Sequence, residues 1–185
     1  MRSLIKQRGD TLIEVMLSIS ILSLVVVGAM MIMNRSNSNM LDAVERTAVR
    51  AEVNRQTELL NYLRDQAALG TTDAIPTAVT AWSDITNPNR LSANPSDVSV
   101  DSCPALNNDN SKRFYITVDE NLNNFGVANA GSANIYATAG SGLWIEVVKR
   151  GPSGSSYYDF FVRACWDSAA GHTRQLTETV VRLYE

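Results

Sequence analysis

The sequence predicts an α+β fold in which a long N-terminal helix packs on a C-terminal antiparallel β-sheet. Three features predict this arrangement. Residues 15–33 form an uncharged apolar run, and residues 41–69 repeat apolar side chains at three- and four-residue steps. Residues 113–185 then hold short segments rich in aromatic and β-branched side chains. Helical periodicity first and strand patterns later are typical of an α+β chain.

The apolar run has the length of a membrane span. As a helix it would be about 28 Å long, close to the ~30 Å hydrocarbon core of a bilayer. Ser18, Ser20 and Ser23 are its only polar side chains, and a helical serine can donate to the carbonyl one turn earlier. A buried core helix is the alternative, but a soluble domain of this size could hardly cover such a helix on all sides.

The residues on either side of the run predict its orientation. Arg2, Lys6 and Arg8 precede it with no acidic residue among residues 1–9, so the N-terminus is expected in the cytoplasm and the rest of the chain outside. A secretory signal is cut after its apolar region, next to small residues. Here Met33 leads straight to Asn34, so the run is expected to stay on the mature protein.

Glu14 is a lone carboxylate at the front of this apolar run, where burial in hydrocarbon would cost a few kcal/mol or more. One explanation is a capping box over residues 11–14, in which Glu14 reaches back to the amide of Thr11 at the positive end of the helix dipole. The other is that an amine on another subunit neutralises the carboxylate. Both explanations stay open on the residues alone.

Residues 9–15, GDTLIEV, resemble the processing site of type IV pilins and of the related pseudopilins of type II secretion. The family pattern is a glycine, usually a phenylalanine, then Thr-Leu-Ile/Leu-Glu and an apolar helix. The resemblance implies that a prepilin peptidase cuts after Gly9 and that the new N-terminal amine, on Asp10, is methylated. It also implies that Glu14 pairs with the N-terminal amine of a neighbouring subunit. Asp10 departs from the pattern, because the family usually has an apolar residue there.

The resemblance covers residues 1 to about 40 and implies a pilin-like layout. Residues 1–9 would be the leader, 10–33 the transmembrane and assembly helix, 34–69 its amphipathic continuation, 70–112 an irregular connecting loop, and 113–185 the sheet domain. The precursor would cross the cytoplasmic membrane once and later join an extracellular filament. The implied partners are the prepilin peptidase, copies of this chain or other pilins, an inner-membrane assembly platform and, before assembly, membrane lipid.

One helix is predicted from residue 10 to residue 69, because no proline occurs before Pro76 and Gly70 supplies a stop signal. Residues 34–39, NRSNSN, have poor helix propensity. They predict either a loosened or kinked helix or simply the polar edge of the membrane span. The apolar stripe expected to face the sheet comprises Leu41, Val44, Ala48, Ala51, Leu59, Leu63 and Ala67.

The rest of the chain predicts a connection and then a sheet. Residues 70–112 hold four prolines and many small polar side chains, which predicts an irregular segment with a short strand or helix hidden near residues 78–85. Strands are predicted at residues 113–118, 134–138, 143–149, 157–166 and 176–184, the last three forming a meander. The face covering the helix is expected to carry Leu143, Ile145, Val147, Tyr158, Phe160 and Val162.

Two cysteines, Cys103 in the connection and Cys165 in a strand, are predicted to form a disulfide because an external location favours oxidation. The bridge would pin the connection to the sheet and add perhaps ~4 kcal/mol in the chain-entropy model. Two free thiols are the alternative. The spacing differs from the two C-terminal cysteines that bound the disulfide loop of many Gram-negative pilins.

Composition and motifs disfavour catalysis and nucleic-acid binding. The net charge is −3, so bulk charge gives no strong nucleic-acid signal. His172 is the one histidine, and metalloprotease, nucleophile-elbow and phosphate-loop motifs are absent from the sequence. We predict no enzymatic activity, cofactor or metal. Asp119, Asn121 and Asn123 alternate like a calcium loop, but Gly126 is misplaced, which favours an amide-rich hairpin.

Two classes of function remain. The first is a filament subunit, and the second is a single-pass anchored module that binds a ligand outside the cell and does not polymerise. Only the first explains a basic leader ending in Gly9 together with Glu14 five residues later. Within it, major pilin, minor pilin and pseudopilin stay open, as do adhesion, motility and DNA uptake.

Overall fold

The computed structural model describes residues 10–70, 74–100, 111–130, 142–151, 156–168 and 174–184, with side chains from residue 12 onward. The chain divides into two compact units, Met1–Ala43 and Val44–Glu185. The predicted α+β fold is confirmed. Its elements are α1 (Asp10–Leu69), α2 (Pro76–Ile85), β1 (Phe114–Val118), β2 (Phe125–Asn129), β3 (Gly142–Arg150), β4 (Tyr157–Asp167) and β5 (Arg174–Tyr184).

Helix α1 is continuous through residues 34–39, so the loosening considered for that segment is not seen. The helix ends at Leu69, and Gly70 follows it with φ +77°. That left-handed conformation is the usual end of a helix and is strained for most other residues. The predicted helix and its stop signal are both confirmed.

The described strands form one antiparallel sheet in the order β2-β1-β3-β4-β5. The predicted meander of β3, β4 and β5 is confirmed, and β5 pairs with β4 along its full 11 residues. Strand β1 meets β3 at Phe114↔Ile145, and a parallel bridge between Leu91 and Val147 continues along that edge of β3. Strand β2 was not predicted. The predicted strand at residues 134–138 lies outside the described residues.

The core lies between the inner face of the sheet, the second half of α1 and α2. All six side chains predicted for the inner face are buried there. A buried core of this kind stabilises a fold in proportion to the apolar area removed from water. The helical side of the core consists of Val53, Leu60, Leu63, Ala78, Ala81 and Ile85.

The stripe of α1 that faces the sheet differs from the prediction. Leu41 and Val44 are 53% and 59% exposed, and Ala48 and Ala51 are exposed as well. The buried stripe instead follows Val49, Val53, Gln56, Leu60 and Leu63. The prediction is therefore wrong for these four residues and confirmed for Leu63, which is buried, and Leu59, which is partly buried against the core. The polar Gln56 interrupts the buried stripe, which explains why the apolar pattern indicated a different one for the first part of the segment.

The connection after α1 contains the helix α2, which lies where a short strand or helix was expected. Pro76 stands at the start of α2, where a missing N–H removes no helical hydrogen bond. Trp82 on α2 packs against Tyr158 and Phe160 of the sheet, with ring centroids 6.2 Å and 5.9 Å apart. The short element considered for residues 78–85 is therefore a helix.

Gln56 fastens α1 to β1 inside the core. Its side chain is 0% exposed; Nε2 donates to the carbonyl of Ile116 at 3.1 Å, and Oε1 accepts from the Ile116 amide at 2.9 Å. Gln56 thereby supplies the two backbone hydrogen bonds that a neighbouring strand would otherwise make with Ile116. A buried backbone group left without a partner is costly, so this glutamine has a structural reason to interrupt the apolar stripe.

Gln56→Ala is expected to lower the free energy of unfolding by about 2–4 kcal/mol, because it leaves a cavity and two unpaired groups of Ile116. The measurement is denaturant unfolding of the full chain in detergent. Asn54→Ala is the matched control, since Asn54 is exposed on the same helix and a surface change stays within about 0.5 kcal/mol. Equal stability of the two variants would contradict the role of Gln56.

Candidate functional site

The segment predicted to be processed lies at the start of α1. Gly9 lies outside the described residues, and Asp10 is described by its helical backbone alone. Cleavage after Gly9 and methylation of Asp10 therefore stay predictions. The structure establishes that the residues following the predicted cut are already helical.

Glu14 follows in the first turns of α1, and its side chain is exposed. Its backbone carbonyl accepts a hydrogen bond from Ser18 Oγ at 2.8 Å. Thr11 is the second residue of α1. The capping box and the pairing of Glu14 with an amine of another subunit both stay predictions. An exposed carboxylate just before an apolar surface is available to an external cation.

The apolar run of α1 is exposed at every residue except Gly28, which is partly exposed. Its most apolar window has a mean hydropathy of 2.6 and is 0% buried, and single side chains such as Leu24 and Ile32 are 74% and 73% exposed. By length and composition this helix can cross a membrane. Apolar surface of this extent marks a membrane or protein interface. Lipid or other apolar helices are therefore needed to cover it.

The three serines of the run are satisfied within the helix. Ser18, Ser20 and Ser23 donate to the carbonyls of Glu14, Met16 and Ile19, each at 2.8 Å. The predicted back-bonding is confirmed. Because each hydroxyl donates inside its own helix, the run can enter an apolar environment without leaving these donors unpaired.

The calcium candidate is a β-hairpin turn between β1 and β2. Asp119 Oδ1 accepts from the amides of Asn123 and Asn124 at 2.9 Å and 3.1 Å, and Leu122 adopts φ 56° at the tip. The carboxylate closes the turn by accepting from two backbone amides, four and five residues further along the chain. The amide-rich hairpin is confirmed. Among the described residues, no group of three or more His, Cys, Asp or Glu side chains could hold a metal ion.

The remaining predicted site residues are only partly described. Cys165 is 2% exposed in β4, where it packs beside Trp144 of β3, and no described cysteine is free. Cys103 and His172 lie outside the described residues, so the Cys103–Cys165 pairing stays a prediction. Gly142 is the first residue of β3 and pairs with Cys165.

A buried ionic cluster on the outer face of the sheet was missed by the sequence analysis. Glu146 of β3 is 1% exposed, and its carboxylate accepts from the amide and the hydroxyl of Ser96, each at 2.8 Å. Arg113 Nε donates to it at 2.9 Å and Arg163 Nη1 at 3.3 Å. Burial alone would raise the pKa of Glu146, but these hydrogen bonds and the charge of Arg163 hold it below its usual value.

Arg163 extends the cluster across the sheet. It is 5% exposed, donates to the carbonyl of Ser96 at 2.8 Å and pairs with Glu178 on β5. The amide, hydroxyl and carbonyl of Ser96 are thus all bound, which holds its segment against the outer face. The sequence did contain a signal for this cluster, which is the acidic residue inside the apolar strand sequence LWIEVV. A charged side chain buried in a strand needs polar or charged partners.

An open apolar groove of about 430 Å³ lies between the second half of α1 and the β1–β2 hairpin. Tyr62 stacks on Phe125 within it, with ring centroids 5.3 Å apart. Its lining carries one acidic and one basic side chain and otherwise apolar or aromatic groups, so it lacks a set of converging catalytic groups. The groove is lined by Arg55, Glu58, Leu59, Tyr62, Val118, Leu122 and Phe125.

Comparison with known proteins identifies the N-terminal segment. Residues 4–30 match the family model described as the prokaryotic N-terminal methylation motif. This motif is the leader type of type IV pilins and pseudopilins. The resemblance to these proteins that the sequence indicated is therefore confirmed for this part of the chain. The match includes Gly9, Asp10, Glu14 and most of the exposed apolar run. Searches of curated proteins and of solved structures found no match for the chain.

Proposed function

We propose, from the N-terminal methylation motif and the exposed helix that follows it, that this chain is a structural subunit of a type IV pilus-like surface filament. The observation that carries the proposal is the uncovered apolar surface of α1 directly after the motif. Such a surface suits lipid in the precursor and neighbouring helices in a filament. The proposed role is non-enzymatic.

In this proposal the precursor crosses the cytoplasmic membrane once, with its basic leader inside. The prepilin peptidase cuts after Gly9 and leaves a free amine on Asp10, which is then methylated. The assembly platform would move the processed subunit from lipid into a stack of copies of itself or other pilins. Adhesion, motility and DNA uptake are roles that such a filament could serve.

The role proposed for Glu14 follows from the energetics of moving the subunit from lipid into the filament. Lipid tails are as apolar as leucine side chains, so helix association within a membrane gains little from the hydrophobic effect and depends on packing and polar pairs. A carboxylate left alone in hydrocarbon is unfavourable. Pairing Glu14 with the N-terminal amine of a neighbouring copy neutralises both charges and makes the register of the stack specific.

A type II secretion pseudopilin is the second candidate, because pseudopilins carry the same N-terminal motif. The two candidates predict different locations. A pilin subunit would be recovered in material sheared from the cell surface, whereas a pseudopilin would stay with the cell envelope. A single-pass anchored binding module would also stay with the envelope, and it would not need cleavage after Gly9.

The testing experiment is the intact mass of this protein in sheared surface material, measured with and without reduction. We expect a mass corresponding to residues 10–185, with or without one methyl group, and a shift on reduction if the disulfide forms. Full-length protein confined to the membrane would contradict the proposal and favour the anchored module.

Gly9→Phe is expected to abolish processing, because the peptidase would have to accommodate a bulky side chain at the cut. The measurement is the intact mass of the membrane-bound protein, which should stay at the full-length value. Gly28→Ala is the matched control, since a Cβ added at Gly28 meets nothing within 4 Å. Normal maturation of Gly9→Phe would contradict the peptidase interpretation.

A further inference from the structure

Strand β5 leaves one long edge of the sheet open within the described residues. It lies at the end of the strand order and pairs with β4 alone. The register with β4 runs without a bulge, and residues 174–184 contain no proline, glycine or lysine, although they carry the charged side chains of Arg174, Glu178 and Arg182. Natural proteins usually protect edge strands with such devices, because unpaired amides and carbonyls accept another strand.

The opposite edge of the described sheet is protected. Strand β2 has only 5 residues, and Thr77 of α2 lies against its start. The Thr77 hydroxyl donates to the carbonyl of Asn123 at 2.9 Å and accepts from the amide of Phe125 at 3.2 Å. Among the described strands, one edge of the sheet is therefore short and covered, and the other is long and pairs with β4 alone.

We propose that β5 pairs with β5 of a second copy of this chain, antiparallel and about a two-fold axis through Val180. In that register Val180 lies opposite its own copy, and Glu178 lies opposite Arg182 of the second copy on both sides of the axis. Leu176 then lies opposite Tyr184. Directly opposed residues of an antiparallel pair are close enough to interact, so these ion pairs and apolar pairs favour this register.

Neighbouring registers are less favourable. An axis through Glu178 would place Glu178 opposite its own copy and Arg174 opposite Arg182, and both pairs would repel. An axis through Thr179 or Val181 would place the charged groups opposite apolar side chains. An axis that passes between two residues would pair each residue of one strand with a residue whose side chain points to the opposite face of the sheet, which an antiparallel pair does not allow. The charge pattern of β5 therefore selects the axis through Val180.

The side chains in question are accessible on the outer face. Val180 is 50% exposed, Tyr184 is 61% exposed, and the side chain of Glu178 is 39% exposed while also accepting from Arg163 Nε of its own chain. Arg182 donates Nε and Nη2 to the two carboxylate oxygens of Asp159, at 2.7 Å and 3.1 Å, so that pair does not use its Nη1. Because this bidentate contact already holds Arg182 in place, less side-chain freedom is lost when it meets Glu178 of the second copy.

The pairing does not depend on helix assembly. Two antiparallel strands related by a two-fold axis form an isologous contact, whereas stacking of subunits along a filament is heterologous. The β5 pair would therefore link copies laterally, whether or not the apolar helices polymerise. Variants of β5 and variants of Glu14 test different proposals.

The test is disulfide trapping of Val180→Cys in the full chain, in membranes of producing cells treated with a mild oxidant. We expect a reducible dimer at least about tenfold more abundant than with Thr179→Cys, because directly opposed cysteines have a high effective concentration. Thr179→Cys produced together with a tagged Val181→Cys should give a mixed dimer, since these positions oppose each other in the proposed register.

Two further variants define the outcome. Adding Glu178→Lys to Val180→Cys should reduce the homodimer to the Thr179→Cys level, because lysine would face Arg182 of the second copy. Glu178 also pairs with Arg163 of its own chain, so the control is a mixed dimer with a tagged chain that carries Val180→Cys and Arg182→Glu, in which the yield should recover. Adding Glu14→Val should leave the dimer unchanged. Absence of the Val180→Cys dimer, an unchanged yield with Glu178→Lys, or trapping of a different protein would each overturn the proposal.

Discussion

Glu14→Val is expected to keep the protein in the membrane while reducing its amount in filaments by at least about tenfold. In the proposed assembly, valine leaves the N-terminal amine of a neighbouring subunit alone among apolar helices. Breaking a buried ion pair by removing one partner costs about 3–5 kcal/mol, and each ~1.4 kcal/mol is a factor of ten in an equilibrium. The expected decrease in filament assembly is therefore large even if the variant loses only part of this free energy.

The measurement compares the amounts of this protein in sheared and membrane fractions, with intact mass to confirm that cleavage after Gly9 still occurs. Glu14→Asp is the matched control, because it keeps the charge on a shorter side chain and should restore part of the assembly. Equal recovery of wild type and Glu14→Val in the sheared fraction would show that the carboxylate does not guide assembly.

The same substitution separates the filament subunit from the anchored module. A carboxylate near the bilayer is unfavourable, so valine at position 14 should, if anything, strengthen membrane anchoring. An anchored module would therefore tolerate or benefit from Glu14→Val. Loss of a surface structure together with firm anchoring is expected only if Glu14 acts between subunits.

The elements of the fold could be predicted because each is specified by local pattern. The apolar run and the absence of proline before Pro76 predict α1, and Gly70 predicts its end. The aromatic and β-branched segments predict β1, β3, β4 and β5. In contrast, β2 has the sequence FGVAN after an amide-rich turn. Its strand character comes from pairing with β1, which a local pattern does not record.

Contacts between elements could not be predicted in the same way. Which side chains of α1 face the sheet depends on how the sheet packs against the helix. The apolar stripe predicted from the sequence placed Val44 toward the sheet, although Val44 is 59% exposed. The roles of Gln56 and Glu146 follow from partners 60 and 50 residues away, Ile116 and Ser96. By contrast, the N-terminal motif is contiguous, and sequence alone was enough to recognise it.

Glu146→Gln is expected to lower the free energy of unfolding by about 3–5 kcal/mol at neutral pH, because it takes a buried carboxylate away from the guanidinium groups of Arg113, which is half-buried, and Arg163, which is buried. Arg163 is 5% exposed and would lose one of its two acidic partners. Glutamine keeps the shape of the side chain, so the effect would come from charge and not from a cavity. Denaturant unfolding of the full chain in detergent measures it.

The expected effect depends on pH with a definite sign. The folded-state pKa of Glu146 lies below its usual value of 4.5, so the unfolded chain binds the proton more readily than the folded one. The stability from the ionised carboxylate is then fully present above the usual pKa and is lost as pH falls through the lower folded-state pKa. The difference between wild type and Glu146→Gln should thus be constant near neutral pH and shrink in acid.

Asp97→Asn is the matched control for this prediction. Asp97 is exposed and directly follows Ser96, so the substitution removes a neighbouring charge without touching the cluster. It should change the unfolding free energy by no more than about 0.5 kcal/mol at any pH where the chain folds. If the Glu146→Gln difference persisted undiminished in acid, the ionised carboxylate would not be its source, and the fastening of Ser96 to the sheet would have to come from packing.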